Sequence, residues 1–284
     1  MIKKITLCYF SPTGGTKKVS LKFAAELIKN IKEFGNSALN NTGLSKIDFT
    51  KPEARKKRFE FSDEDILVIA SPVYAGRIPN KIAPEFKKAF HGNNTKCVVL
   101  CCYGNRSYGG ALTEMRLIMQ EKGFQITAAA AIVSQHPFSD LVGEGRPSPV
   151  DFKELSGFAK EVSKIVISDK NVNLPFNTEI PPYYIPLKTD NTPAKFLKAK
   201  PVTDLSLCDN CGICAGTCPV GSIDISDCSK TPGICIKCQA CIKVCPHGAK
   251  TFIDEDFLSH VKMLEINYTK PKENIFILPE DSVN

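Results

Sequence analysis

Several features are missing from this sequence, and most of these absences exclude a class of function. No apolar run approaches the ~18–20 residues of a membrane span; Ala128 to Val133 is among the longest. No leader is visible either. Met1-Ile-Lys-Lys-Ile passes straight into a strand pattern, without an apolar h-region or a small-residue cleavage site, so a cytoplasmic location is expected. Neither G-x-x-x-x-G-K-[ST] nor G-x-G-x-x-G occurs, which argues against a Walker-type phosphate loop and against direct NAD(P)H oxidation through a Rossmann unit. Tryptophan is absent altogether.

What remains is a chain of 284 residues, 43% hydrophobic, with a mean hydropathy of −0.11. That length suits about two domains with a real core. The net charge is +7, carried partly by Lys51 to Arg58 and partly by Lys17, Lys18, Lys22, Lys29 and Lys32. No nucleic-acid recognition motif accompanies these lysines, so no nucleic-acid partner is expected. A solvated face, or a docking surface for an acidic redox partner, accounts for them better.

Eight of the thirteen cysteines fall in two runs of C-x2-C-x2-C-x3-C-P, from Cys208 to Pro219 and from Cys235 to Pro246. Every cysteine of the second run follows its counterpart by 27 positions, which marks an internal duplication. Three thiolates on one tight loop reach three irons of a cubane, and the fourth cysteine of each run crosses to the other cube. The expected ligand sets are therefore Cys208, Cys211, Cys214 and Cys245, and Cys235, Cys238, Cys241 and Cys218. Structural zinc would use separated C-x2-C pairs and needs no Cys-Pro. Disulfides need an oxidising compartment. Over residues 201–254 the chain resembles the two-cluster bacterial ferredoxins, which implies two [4Fe–4S] clusters exchanging electrons within a small pseudo-twofold domain. Gly212 and Gly221 fit loops wrapped closely around a cube. Oxygen-sensitive clusters point to an anaerobic host. His247 reads as a turn residue, with tuning of the first cluster as the alternative.

The N-terminal half alternates strands and helices. Residues 2–10 form an apolar strand, and Ser11-Pro-Thr13-Gly14-Gly15-Thr16 opens a helix with Val19, Phe23, Leu27, Ile28 and Ile31 at helical spacing. A hydroxyl- and glycine-rich turn at a helix N-terminus makes an anion site, although an N-cap would use the same residues. Further strands are expected at Asp65 to Ser71, Lys96 to Cys102 and Phe124 to Val133. Helices are expected near Lys81 to Phe90, Ala111 to Lys122 and Val150 to Ile167. This order means a doubly wound parallel α/β sheet of five strands, with ligands at the carboxyl ends of its strands.

The first turn matches the S/T-x-T-G-x-T phosphate loop of flavodoxins, and this half resembles that family. The resemblance implies FMN, its phosphate held by Ser11, Thr13, Gly14, Gly15 and Thr16. A second loop (Pro72, Val73, Tyr74, Ala75, Gly76) and a third (Tyr103, Gly104, Asn105, Arg106, Tyr108) would sandwich the ring. Tyr74, Tyr103 and Tyr108 are the stacking candidates. The missing tryptophan and the basic charge depart from the flavodoxin pattern.

Taken together, the chain resembles flavodoxin–ferredoxin fusion proteins: residues 1–169 flavodoxin-like, 170–200 a proline-rich connector, 201–254 ferredoxin-like, and 255–284 a helix (Phe257 to Ile266) and tail. The connector is expected to pack across the first domain. Cys8, Cys97, Cys101 and Cys102 read as buried hydrophobes and Cys228 as a spare. The resemblance implies electron transfer between a ferredoxin-like donor and an acceptor enzyme. An FMN-dependent reductase fed by its own clusters is the alternative, with His136, Arg77 and Arg106 as its polar groups. A ferredoxin on a flavin-free scaffold is a third reading.

Overall fold

The computed structural model describes residues 2–34, 43–168, 172–175 and 178–280, so the expected boundary at 169 and 170 lies outside the described residues. The chain opens with β1 (Lys4–Tyr9), α1 (Gly15–Glu33), β2 (Ser45–Asp48), α2 (Pro52–Arg55), β3 (Phe59–Phe61) and β4 (Asp65–Pro72). Next come α3 (Ala83–Ala89), β5 (Phe90–Gly92), β6 (Thr95–Tyr103), α4 (Ala111–Glu121), β7 (Phe124–Val133) and α5 (Pro149–Ile167). After the connector follow β8 (Val202–Thr203), α6 (Ile213–Thr217), α7 (Ala240–Lys243), β9 (Lys250–Thr251), α8 (Glu255–Asn267) and β10 (Ile275–Ile277).

Five strands run parallel in the order β2-β1-β4-β6-β7. Renumbered among themselves they read 2-1-3-4-5, the flavodoxin-like doubly wound order. β6 is buried along its whole length, as a strand covered on both faces must be. Helices α1 and α5 cover one face, where the Phe23 and Phe158 rings meet at 5.5 Å. Helices α3 and α4 cover the other through Phe86, Met115 and Met119. A Ser148–Asp151 capping box fixes the start of α5.

The sheet has a sixth strand that the sequence did not announce. β10 pairs antiparallel with β7, Ile275 to Ile277 lying opposite Ala131 to Ala129. The alanine run leaves room over the edge, and Phe276 fills it against Phe158 at 5.0 Å. The tail thus covers an edge that would otherwise stand open. β2 was equally hidden, being a four-residue polar edge strand.

The connector lies along the first domain. Tyr184 N–H donates to Ala75 O at 2.9 Å, Tyr183 Oη to Ile78 O at 3.2 Å, and Arg77 Nη1 to Pro181 O at 3.0 Å. Its far end is tied to α8, where Lys195 N–H meets Asp256 Oδ2 at 2.6 Å. Phe138 of the first domain packs on Phe257 of α8 at 4.9 Å, and Phe252 stacks on the same ring at 4.5 Å. No helix among the described residues is long and apolar enough to cross a membrane.

Candidate functional site

The three loops singled out in the sequence meet at the carboxyl ends of β1, β4 and β6. The first turns on Gly14, which adopts φ 89°, a left-handed value that favours glycine. Helix α1 has no side-chain cap and no acidic residue in its first turn, while Lys17 and Lys18 stand there. Its first N–H groups therefore meet no negative charge from the helix itself. Ser11 is pre-set from both sides: its N–H donates to Thr50 Oγ1 at 2.8 Å, and its Oγ accepts from Lys17 N–H at 2.9 Å. The second and third loops touch through Gly76 and Gly109, so closely that a Cβ on Gly109 would sit 2.5 Å from Gly76 O.

These loops form one wall of a cavity of about 230 Å³. Of the expected ring and phosphate residues, most line it, including Thr13, Thr16, Tyr74, Tyr103 and Arg106. Four do not. Gly14 and Gly76 shape the loops from behind. Asn105 is fully buried and spends its amide on the tail, donating to Tyr268 O and Lys270 O and accepting from Lys272 N–H. Tyr108 packs edge-on against Tyr103 at 5.8 Å and joins the core below. The side chains of Asn105 and Tyr108 thus hold the loop and do not line the cavity.

The opposite wall comes from the rest of the chain, and the sequence did not reveal it. Tyr184, Pro186 and Phe196 of the connector, His260 and Leu264 of α8, and Ile236 and Lys237 close over the loops. His136 lines the cavity too. Its Nδ1 accepts from Phe138 N–H at 3.2 Å, so the other nitrogen carries the proton of the neutral ring. Burial, helped by His260 and Arg106, pushes this imidazole down to about 3. Cys101 and Cys102 point to opposite faces as expected, and both are buried. Cys102 lies at the cavity floor, where burial pushes its thiol up to about 12 against the Thr16 and Ser134 hydroxyls. Ser134 Oγ is buried with no hydrogen-bond partner beyond that thiol. A polar floor with a spare hydroxyl and a helix N-terminus free of acidic side chains fits a phosphate-bearing ligand.

The eight motif cysteines divide between two small cavities. Cys208, Cys211, Cys214 and Cys245 line one, and Cys218, Cys235, Cys238 and Cys241 the other. The division is the crossed one expected from the spacing. Backbone geometry repeats with it: φ is positive at Asn210 and Lys237, at Gly212 and Gln239, and at Gly221 and Gly248, each pair 27 residues apart. Backbone N–H groups of Ser222 and Ala249 point at Cys218 Sγ and Cys245 Sγ, both at 3.3 Å. N–H groups aimed at sulfur suit thiolates that carry cluster charge. Lys237 and Gln239 hold left-handed backbone without being glycine, a strain that persists where the surroundings over-determine it. Among the described residues no three His, Cys, Asp or Glu side chains converge on one ion position; the thiols surround a volume instead. The spare Cys228 is buried beside the first set, and His247 pairs with Asp209 at 3.1 Å on the surface there.

The 4Fe-4S binding domain family matches residues 201–224 and 230–251. The chain is a flavodoxin-like domain followed by a ferredoxin-like one. Among solved structures, it is similar to a flavodoxin from the domain Archaea (14% identity, 58% of this chain and 99% of that one, TM-score 0.39). It is also similar to flavodoxin 2 from Bacillus cereus (14%, 57% and 98%, TM-score 0.40) and to rubredoxin oxygen:oxidoreductase from Desulfovibrio gigas (15%, 58% and 36%, TM-score 0.35). No curated protein sequence matches the chain. A 4Fe-4S domain on a flavodoxin-like domain has the construction of an electron-transfer protein.

Proposed function

We propose that the protein is an iron–sulfur flavoprotein that joins two [4Fe–4S] clusters to one FMN and passes electrons between a low-potential one-electron donor and an acceptor. The observation that carries this reading is the position of Ile236 and Lys237. They lie between Cys235 and Cys238, two thiols of the second set, and they line the same cavity as the flavodoxin-type loops. Tyr74 of the second loop has the Cys238 and Cys235 thiols as titratable neighbours, and burial holds its hydroxyl well above the usual range. The first set faces outward, with Cys211 exposed. The order from surface to cavity is first set, second set, flavin site.

Clusters carry one electron each whereas FMN holds one or two, so the group at the cavity would match single-electron supply to two-electron delivery. The chain's own residues do the rest. Ser11, Thr13, Gly15 and Thr16 would hold the phosphate, and Tyr74 and Tyr103 would border the ring. Pro186, Phe196 and Leu264 give the cavity an apolar wall. Arg55, which donates to Phe49 O, Thr50 O and Pro219 O, ties the first domain to the residue after Cys218.

The reductase reading gains from one observation: the ring site is roofed and polar groups converge on it, whereas a simple carrier would leave the ring edge open. Arg77 drops out of that reading, because Glu114 holds it in a two-bonded fork at 2.7 and 2.8 Å. Arg106 and His136 stay. Anaerobic purification with iron, sulfide and flavin analysis tests the proposal. About eight irons and one FMN per chain are expected from two cubanes and one site. Eight irons with no uptake of added FMN would leave only the flavin-free scaffold.

A further inference from the structure

Among the described residues, no carboxylate lines the roofed cavity. Its basic side chains are Arg106, Lys237, His136 and His260. The other two arginines beside the site are neutralised by buried acids: Arg77 by Glu114, and Arg146 by Asp151 through two contacts of 2.5 Å. Arg106 differs. Its guanidinium lies 3.7 Å from the ring centroid of Tyr184 and reaches the Tyr268 hydroxyl, with no carboxylate partner among the described residues. Lys237 is occupied by the carbonyls of Leu197 and Cys235, and His260 Nδ1 by Leu187 O at 2.8 Å. Among the described residues lining the cavity, Arg106 is therefore the cation with fork capacity left over, set over the Tyr184 ring and partly desolvated.

A planar guanidinium held this way matches a planar, two-oxygen anion. The neighbouring wall is apolar, formed by Phe138, Phe196, Ile236 and Leu264. We propose that Arg106 anchors a carboxylate subsite beside the flavin site, and that the small-molecule ligand is a carboxylic acid with an apolar body. The inference rests on the flavin reading of the same cavity and adds the class of its second occupant. The phosphate-type site is a separate loop, at the start of α1. The other source of negative charge near Arg106 is the ring system of FMN itself, and the experiment separates the two.

The full chain, purified anaerobically and loaded with FMN, is titrated with benzoate and crotonate and with their neutral amides. Calorimetry and the visible flavin band are followed together. The acids are expected to bind and perturb the flavin band, with the amides weaker by about tenfold or more. Arg106→Gln should weaken the acids by about 10- to 100-fold, the worth of hydrogen bonds to a charged group. Arg106→Lys, which keeps the charge but loses the fork, should fall between. FMN affinity in both variants should drop by a much smaller factor than acid affinity. Amides that bind as well as acids would overturn the proposal. So would an Arg106→Gln variant that loses FMN affinity as much as acid affinity, because the guanidinium then serves the ring. A wild-type chain that takes up no FMN sinks the flavin reading, whereas a loaded chain that ignores both acids sinks this inference alone.

Discussion

The two halves of the ferredoxin-like domain carry the same cysteine spacing and the same backbone turns, yet they face different surroundings. At equivalent positions, Asp209 of the first half is exposed and pairs with His247, whereas Ile236 of the second packs against the core of the flavodoxin-like domain. Ile223 of the first half is buried and apolar; its counterpart Lys250 is also buried, donating to Thr203 Oγ1 at 2.8 Å and Cys228 O at 2.7 Å. Spacing sets what each half holds. A few non-cysteine positions set what it faces.

Removing thiols tests the first part of that comparison and should have the largest effect. Cys218→Ser combined with Cys235→Ser should cost one cluster, about four irons, because both serve one crossed set. Cys218→Ser combined with Cys208→Ser should cost both clusters. Iron analysis and low-temperature spectra of the reduced protein distinguish this from uncrossed ligation, in which the first pair costs two clusters and the second only one.

Exchanging the facing residues comes next. Ile236→Asp puts a charge into an apolar contact and should weaken docking by on the order of 2–4 kcal/mol. Faster proteolysis of the connector, slower flavin reduction and retained iron are the expected signs. The reciprocal Asp209→Ile, on an exposed face, should leave all three close to wild type.

Lys250→Ile makes the second half resemble the first more closely. The buried cation favours the oxidised-to-reduced step of nearby clusters, because each added electron is negative charge at short range. Its loss should lower the cluster potentials by on the order of 60 mV, the equivalent of about 1.4 kcal/mol for one electron. The set that shares its cavity with Lys250, the one containing Cys208, should shift most. Redox titration of the two cluster signals reads this directly.

The smallest effect concerns the flavin side of the interface. His136 is held at about 3 in the folded protein, below its ordinary value near 6.5. Between these values the unfolded chain binds a proton that the folded one does not. This contribution is therefore complete above pH 6.5 and declines as pH falls toward 3. Denaturation should show a loss of about 1 kcal/mol between pH 7.5 and 5.5, and His136→Asn should flatten it.

Local pattern carried much of the architecture. The cysteine triplets announced their own cavities because ligands on one tight loop need no tertiary information. The turn at Ser11 to Thr16 and the apolar strands placed the ligand-bearing edge for the same reason. The roof was not legible. Lys237 sits between cysteines, and His260 and Phe196 lie on elements with no motif; docking depends on shapes that meet only after both domains fold. The tie of Asn105 to the tail was hidden too, since a loop asparagine beside a binding site gives no sign that a strap 163 residues later will claim it. β10 was too short, at three residues, to show an alternation.

The central claim is that the second thiol set stands between the first set and the flavin site. Rapid mixing of the anaerobic, cofactor-loaded chain with a one-electron donor tests it most directly, with the iron–sulfur and flavin bands recorded together. Cluster bleaching that precedes flavin reduction, with the flavin step lost in Cys235→Ser, is the predicted result. Flavin reduction at an unchanged rate in that variant would contradict the account.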